Sequence, residues 1–260
     1  MVREYVPAAE LKRALVDAGL QLLFERGVTP GFDRVTLKDV IERAGVPRSS
    51  VYLLLGKDGT PLKQLHHEIL LHLDRDPDIT STMQTVARTL DSQAAHIESG
   101  DPVELANALR EVIRLGVESS VEETFVRMEW RIYVASLATI GLGAPAHPDV
   151  LAMHHRATEK YKAAFVPLFN DLMVVFGLQL REPMTTDQLA ATSTAMSAGV
   201  ALRLEVDPAL SDIERNTGPG GKLQRWNAAA VAFEGFCLTW LEPDPNAPAS
   251  ADLSSWTDFK

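Results

Sequence analysis

Apolar positions recur at helical spacing through most of the chain. Leu11, Leu15, Ala18 and Leu22 predict a first helix ending at Arg26-Gly27. From Thr36 to Tyr52 the pattern shortens. Leu37, Val40, Ile41 and Ala44 share one helical face, and Thr36 caps that helix with Asp39 three residues on. Gly45 stands where a helix ends in a left-handed residue, and Pro47 allows a fresh start. Arg48, Ser49 and Ser50 then head a second short helix. Two short helices joined by a tight turn are how a protein places a helix in the DNA major groove, and the head of the second meets the base edges.

Past residue 60 the pattern predicts helices over 60–74, 79–99, 102–119, 121–141, 147–177, 185–206 and 222–241. Turn residues break them at Asp76-Pro77-Asp78, Gly100-Asp101-Pro102, Gly141 to Pro145, Arg181-Glu182-Pro183 and Asp207-Pro208. No stretch alternates like a strand, so the expected fold is all-α. A helix-turn-helix domain should cover residues 1–59, and a larger helical domain 60–241. From Glu242 the Pro/Asp/Ala/Ser-rich tail, 242–260, reads as loose, with Trp256 and Phe259 as its only docking points. The glycine-rich segment Thr217 to Lys222 is not a phosphate loop. No strand precedes it, Asn216 replaces the first glycine, and Leu223 follows the lysine.

The middle helices should hold whatever is sensed. Residues 125–140 are apolar nearly all round, which marks a central buried helix. Glu123, Arg127 and Arg131 form one polar stripe, and Glu129 projects from the apolar side. A carboxylate there orients a ligand, belongs to a buried ion pair or is exposed near a helix end. Met153, His154, Tyr161 and Phe165 line the next helix, which Pro167 is placed to kink. Phe125, Met128, Glu129, Tyr133 and His154 are therefore the candidate ligand-binding residues. His155 with Glu159, and His66 beside His67, are too few to converge on a metal, so no metal or cofactor is expected.

Composition narrows the class. Apolar content of 46% suits a globular protein, and no apolar run reaches the ~18 residues of a membrane helix. The opening Met1-Val2-Arg3-Glu4-Tyr5 has no apolar signal core, so the expected location is cytoplasmic. Cys237 is the single cysteine, which excludes an intrachain disulfide. The net charge of −10 looks wrong for a DNA binder until it is divided. Residues 1–72 carry 10 Lys+Arg against 9 Asp+Glu, and the whole acidic excess lies beyond them. DNA binding would rest on a local basic face formed from Lys38, Arg43, Arg48, Lys57 and Lys63, with Arg34 beside it.

The N-terminal quarter resembles the DNA-binding domain of the TetR family of one-component repressors. The matching text is Leu22-Leu23-Phe24-Glu25-Arg26-Gly27, Val35-Thr36-Leu37 and Ala44-Gly45-Val46-Pro47-Arg48-Ser49-Ser50-Val51-Tyr52. Some positions depart from the family. Leu55 replaces a usual aromatic, and Leu54 is apolar where a polar residue is common, so it faces a sugar or a thymine methyl. The loop 28–34 is longer, and the Gly56 to Pro61 linker shifts the usual lysine, leaving phosphate contact to Lys57 or Lys63. The resemblance implies DNA contact through Thr36, Lys38, Arg48, Ser49, Ser50, Tyr52 and Lys57. It also implies a homodimer through its last two helices, here the small-residue segment 185–206 and the segment 222–241 with Trp226, Phe233 and Trp240 as anchors.

Three function classes follow. The first is a repressor released from a palindromic double-stranded operator by a small lipophilic effector. The second is a small all-α enzyme, against which stand the missing nucleophile elbow, metal-ligand cluster and dinucleotide loop. The third is a helical binding protein without operator affinity.

Overall fold

The computed structural model describes residues 7–27, 34–56, 60–72, 79–126, 128–141, 148–204, 206–218 and 222–256. Outside them fall Lys57, Arg127, Phe259, the loop 28–33, and the expected turns at 76–78 and 142–145. Pro219 to Gly221 of the glycine-rich connection also fall outside, as do the side chains of Phe125, Met128 and Glu129. The described residues are mostly helical, as the periodicity requires, and no helix among them is long and apolar enough to cross a membrane. The chain forms two compact units.

The first unit takes residues 1–76 and 128–157. It holds α1 (Ala8–Arg26), α2 (Leu37–Ala44), α3 (Arg48–Leu55), α4 (Pro61–His72), α8 (Met128–Gly141) and the start of α9 (Pro148–Val175). Leu11, Leu15 and Leu22 of α1, Val40 of α2, Val51 and Leu55 of α3, and Leu65 and Ile69 of α4 form one core. Gly19 lets α1 approach α4, since a Cβ there would lie 2.6 Å from the Ile69 Cδ1. Ile132, Tyr133, Val150 and Met153 join the same core. The compact units therefore do not follow the expected cut at 59/60. Trp130 and Val134 of α8 pack against that core, while Leu137 is exposed.

The second unit takes 77–127 and 158–260. It contains α5 (Thr80–Ser92), α6 (Ala94–Ser99), α7 (Pro102–Val126), the rest of α9, α10 (Thr186–Arg203) and α11 (Ala228–Trp240). α7 is the central helix. It runs past the break expected at 120, because Ser119 is no turn residue here: its hydroxyl meets those of Ser81 and Thr85 on α5 at 3.3 Å. The helix ends at Val126, which divides the stripe read through Glu123, Arg127 and Arg131 between two helices. α9 continues through Pro167. Tyr161, Phe165 and Phe169 stack along it and onto Phe233 of α11, with ring centroids 5.8–6.5 Å apart.

Two expectations fail here. The segment 222–241 is not one helix. β2 (Ile213–Gly218) and β3 (Lys222–Trp226) form an antiparallel hairpin with Ile213 opposite Trp226, and α11 begins only after Asn227, whose side chain caps it at Ala230 N. Residues 242–256 are not loose either. β1 (Leu178–Leu180) pairs antiparallel with β4 (Leu241–Pro243). Ala251 N donates to Phe176 O at 3.0 Å, and the Trp256 indole N–H donates to Ala106 O at 3.2 Å. Ala251, Leu253 and Trp256 are buried in the main core of the second unit. Gly177, at φ +62°, makes this closure possible: a Cβ there would sit 1.9 Å from Ala249 O.

The hairpin carries a buried ionic group that periodicity did not reveal. Glu234 of α11 is 0% exposed. Arg110 Nε of α7 donates to its Oε1 at 2.5 Å, and Arg215 Nη1 of β2 donates to its Oε2. Each guanidinium also lies over an indole, Arg110 over Trp256 at 5.1 Å and Arg215 over Trp226 at 4.8 Å. The Trp226 N–H donates to Thr217 Oγ1, which donates to Gln224 Oε1, both at 2.8 Å. Two charges that are costly to bury alone are held by a shared carboxylate and by aromatic faces.

Candidate nucleic-acid interface

The turn between α2 and α3 follows from a few local bonds. The Thr36 hydroxyl accepts from Asp39 N at 3.2 Å, and the Asp39 carboxylate accepts from Thr36 N at 3.3 Å, completing a capping box. Arg26 Nη1 donates to the same carboxylate at 2.6 Å, fixing the end of α1 to the start of α2. These bonds hold the Asp39 carboxyl down at about 2, Arg26 contributing most. Gly45 ends α2 at φ +64°, its N–H donating to Ile41 O and Glu42 O. Pro47 then leads directly into α3.

On α3 one face is spent on the core and the other is open. Val51 and Leu55 are buried, and Leu54 packs against the same core. Arg48, Ser49, Tyr52 and Leu53 are exposed. At 100° per residue those four span an arc of about 140°. Ser50 is half-buried at the arc's edge. Arg48 Nη2 donates to the Tyr52 hydroxyl at 3.3 Å, and the guanidinium lies 5.4 Å from that ring. One of its five donors is thereby used, which leaves the fork able to grip another acceptor.

The remaining candidate groups differ in how far they are committed. Arg43 makes two 2.7 Å bonds to Glu25. Lys38 lies 3.8 Å from Glu42 in an open pair that contributes little. Thr36 already donates its hydroxyl proton to Asp39 at 2.8 Å, so a phosphate would have to displace that carboxylate. Lys57 lies outside the described residues, while Lys63 is exposed on the first turn of α4.

Of the five expected ligand-binding residues, the described structure brings Tyr133 and His154 together. Their rings are 4.3 Å apart, both are buried in the first unit, and Trp130 stacks on Tyr133 at 4.7 Å. Sequence reading missed Ser136. Its hydroxyl donates to Tyr133 O at 2.7 Å and meets His154 Nε2 at 2.8 Å. Its position on the turn after Tyr133 was the available signal. Burial pushes His154 down to about 4, with His155 adding to the shift, and burial does the same to His66 on α4.

These two histidines set a pH dependence. Their folded values lie below the ordinary 6.5, so between pH 6.5 and 4 the unfolded chain binds more protons. Stability should be unaffected above that window and fall as the pH drops through it. At pH 5 the loss is on the order of 1–2 kcal/mol per histidine. Asp39 adds its own loss only below about pH 4. Urea unfolding at pH 7 and pH 5 checks this, and His154→Gln should remove about half of the difference, leaving the part due to His66.

Among the described residues no group of three or more His, Cys, Asp or Glu comes together as a metal site. Cys237 is buried, and burial raises its thiol far from the reactive range. No protein-family model matches the chain, and no curated protein does.

Proposed function

We propose that the protein is a DNA-binding transcriptional regulator of the TetR type, acting as a repressor released by a small lipophilic effector. One observation carries the reading. α2 and α3 are joined by a left-handed glycine and a proline, and α3 turns Arg48, Ser49, Tyr52 and Leu53 outward while its other face is buried. This is the arrangement in which a short helix enters a major groove head first. Arg48 suits guanine, whose O6 and N7 accept both arms of a guanidinium. Tyr52 steadies that arm and keeps its own hydroxyl proton for a phosphate.

The test is a gel shift with DNA from upstream of the protein's own gene. Arg48→Ala should weaken operator binding by ~1–3 kcal/mol and relax one base position. Tyr52→Phe should weaken all sequences alike. Unchanged affinity and preference in Arg48→Ala would refute this docking. Arg43 is held by Glu25, so few cations remain to neutralise phosphates and the salt dependence should be shallow.

A palindromic operator requires a two-fold dimer. The anchors expected from sequence need revision. Trp226 and Phe233 are buried inside the second unit, and Trp240 is half-buried against Phe236 at 5.1 Å. The surfaces offered instead are Ala191, Ala195, Gly199 and Leu202 of α10 and Ala232 and Thr239 of α11, all exposed. Ala195→Glu should give monomers by light scattering and abolish operator binding, with the fold intact. The effector part of the proposal rests on the family resemblance and the apolar character of α8. Operator titration with compounds that raise the melting temperature tests it.

A further inference from the structure

Building on the reading of α3 as a recognition helix, we infer that Leu53 is a specificity-determining residue that selects thymine through its C5-methyl group. Leu53 is 75% exposed on α3. Lone exposed leucines are ordinary on protein surfaces. This one differs in its place: it follows Ser49 by one turn and shares the open arc with Arg48 and Tyr52. It lies about 7.5 Å along the helix axis from Arg48, so it addresses a different base pair. Leu54, the neighbour that sequence alone would favour for this task, is half-buried and packs against the core of the first unit.

A leucine has neither donor nor acceptor. The apolar group that a natural base pair shows in the major groove is the thymine methyl. Against that methyl, Leu53 buries apolar surface on both sides. Against any other base edge it would strip water from a donor or acceptor and return no bond. The residue therefore favours one base and penalises the rest, which is how specificity is built. Arg48 and Leu53 together read a guanine and a thymine in each half-site, through a charge-assisted fork and through a methyl contact.

The experiment selects duplexes from a randomised library with the full chain. Each thymine in the enriched site is then replaced by deoxyuridine, which removes only the methyl. One thymine per half-site should respond, with affinity falling about four-fold at each. Leu53→Ala should lose the same affinity for the thymine duplex and become indifferent to deoxyuridine at that position. Its preference at the guanine read by Arg48 should persist. Leu53 is exposed, so an unchanged thermal melt is expected of the variant. Enrichment of a site in which no thymine responds to deoxyuridine overturns the assignment, as does an undiminished response in Leu53→Ala. If no duplex is enriched at all, the recognition-helix reading itself fails, and the assignment with it.

Discussion

Replacing Glu234 by leucine should destabilise the protein by about 3–5 kcal/mol, the usual cost of stripping one partner from a buried charge group. For a unit of this size that is a fall of roughly 10 °C in Tm. Glu234 bonds to both guanidiniums and is fully buried. Leucine would take that carboxylate from both Arg110 and Arg215, and their stacking on the indoles of Trp256 and Trp226 does not replace a buried counter-charge. The control is the triple variant Arg110→Met, Glu234→Leu, Arg215→Met, which removes all three charges and should recover most of the loss. If Glu234→Leu melts with the parent protein, the ionic group does not hold the hairpin.

Gly177→Ala should be comparably damaging for a different reason. A left-handed φ alone costs an L-residue about 1–2 kcal/mol. Here the new methyl also meets backbone, with Ala249 O at 1.9 Å and Ser250 Cα at 3.0 Å. Neither atom can rotate away, so the segment after β4 must shift and loosen its 3.0 Å bond from Ala251 N to Phe176 O. The total should reach about 3 kcal/mol or more. Gly45→Ala is the matched control. Its φ is +64° and a Cβ there has nothing within 4 Å, so it should show the backbone cost alone. Limited proteolysis separates the two variants: cleavage between 244 and 256 should rise in Gly177→Ala only. Equal losses in both would show that the segment yields freely.

Most helices of both units were legible because their apolar spacing is regular, although the expected helix 79–99 divides into α5 and α6 at Gln93, and the α2–α3 turn was legible because its cap, glycine and proline act locally. The hairpin was not legible. A strand is normally recognised by apolar residues on its inward positions. Here the inward positions include Arg215, Thr217 and Gln224, and only Ile213 and Trp226, paired at the open end of the hairpin, are apolar among them. The segment 242–256 was missed for a related reason. Its composition is that of a solvated chain, and three buried residues, Ala251, Leu253 and Trp256, carry its docking. At the candidate interface, helical phase alone separates Leu53 from Leu54. Reading that phase correctly required knowing which face α1 and α4 cover. The partners of Tyr133 and His154 depend on packing between α8 and α9, where Ser136 and His154 meet across 18 residues, which spacing within one helix cannot show.

The long reach of α7's contacts also governs when the second unit can form. Arg110 meets Glu234 across 124 residues, and Ala106 meets Trp256 across 150. At a synthesis rate of about 5–20 residues per second, Arg110 leaves the ribosome roughly 6–25 s before Glu234 does. During that interval Leu105, Leu109, Val112 and Ile113, all buried in the finished unit, lack the side of their core that α11 and residues 251–256 provide. Helices themselves form in microseconds, so the wait is set by translation and not by the chain. The newborn second unit is thus a half-covered apolar surface for many seconds, a natural client for chaperones that hold nascent chains. Pulse proteolysis of stalled nascent chains, ended before and after Trp256 emerges, would measure that exposure directly.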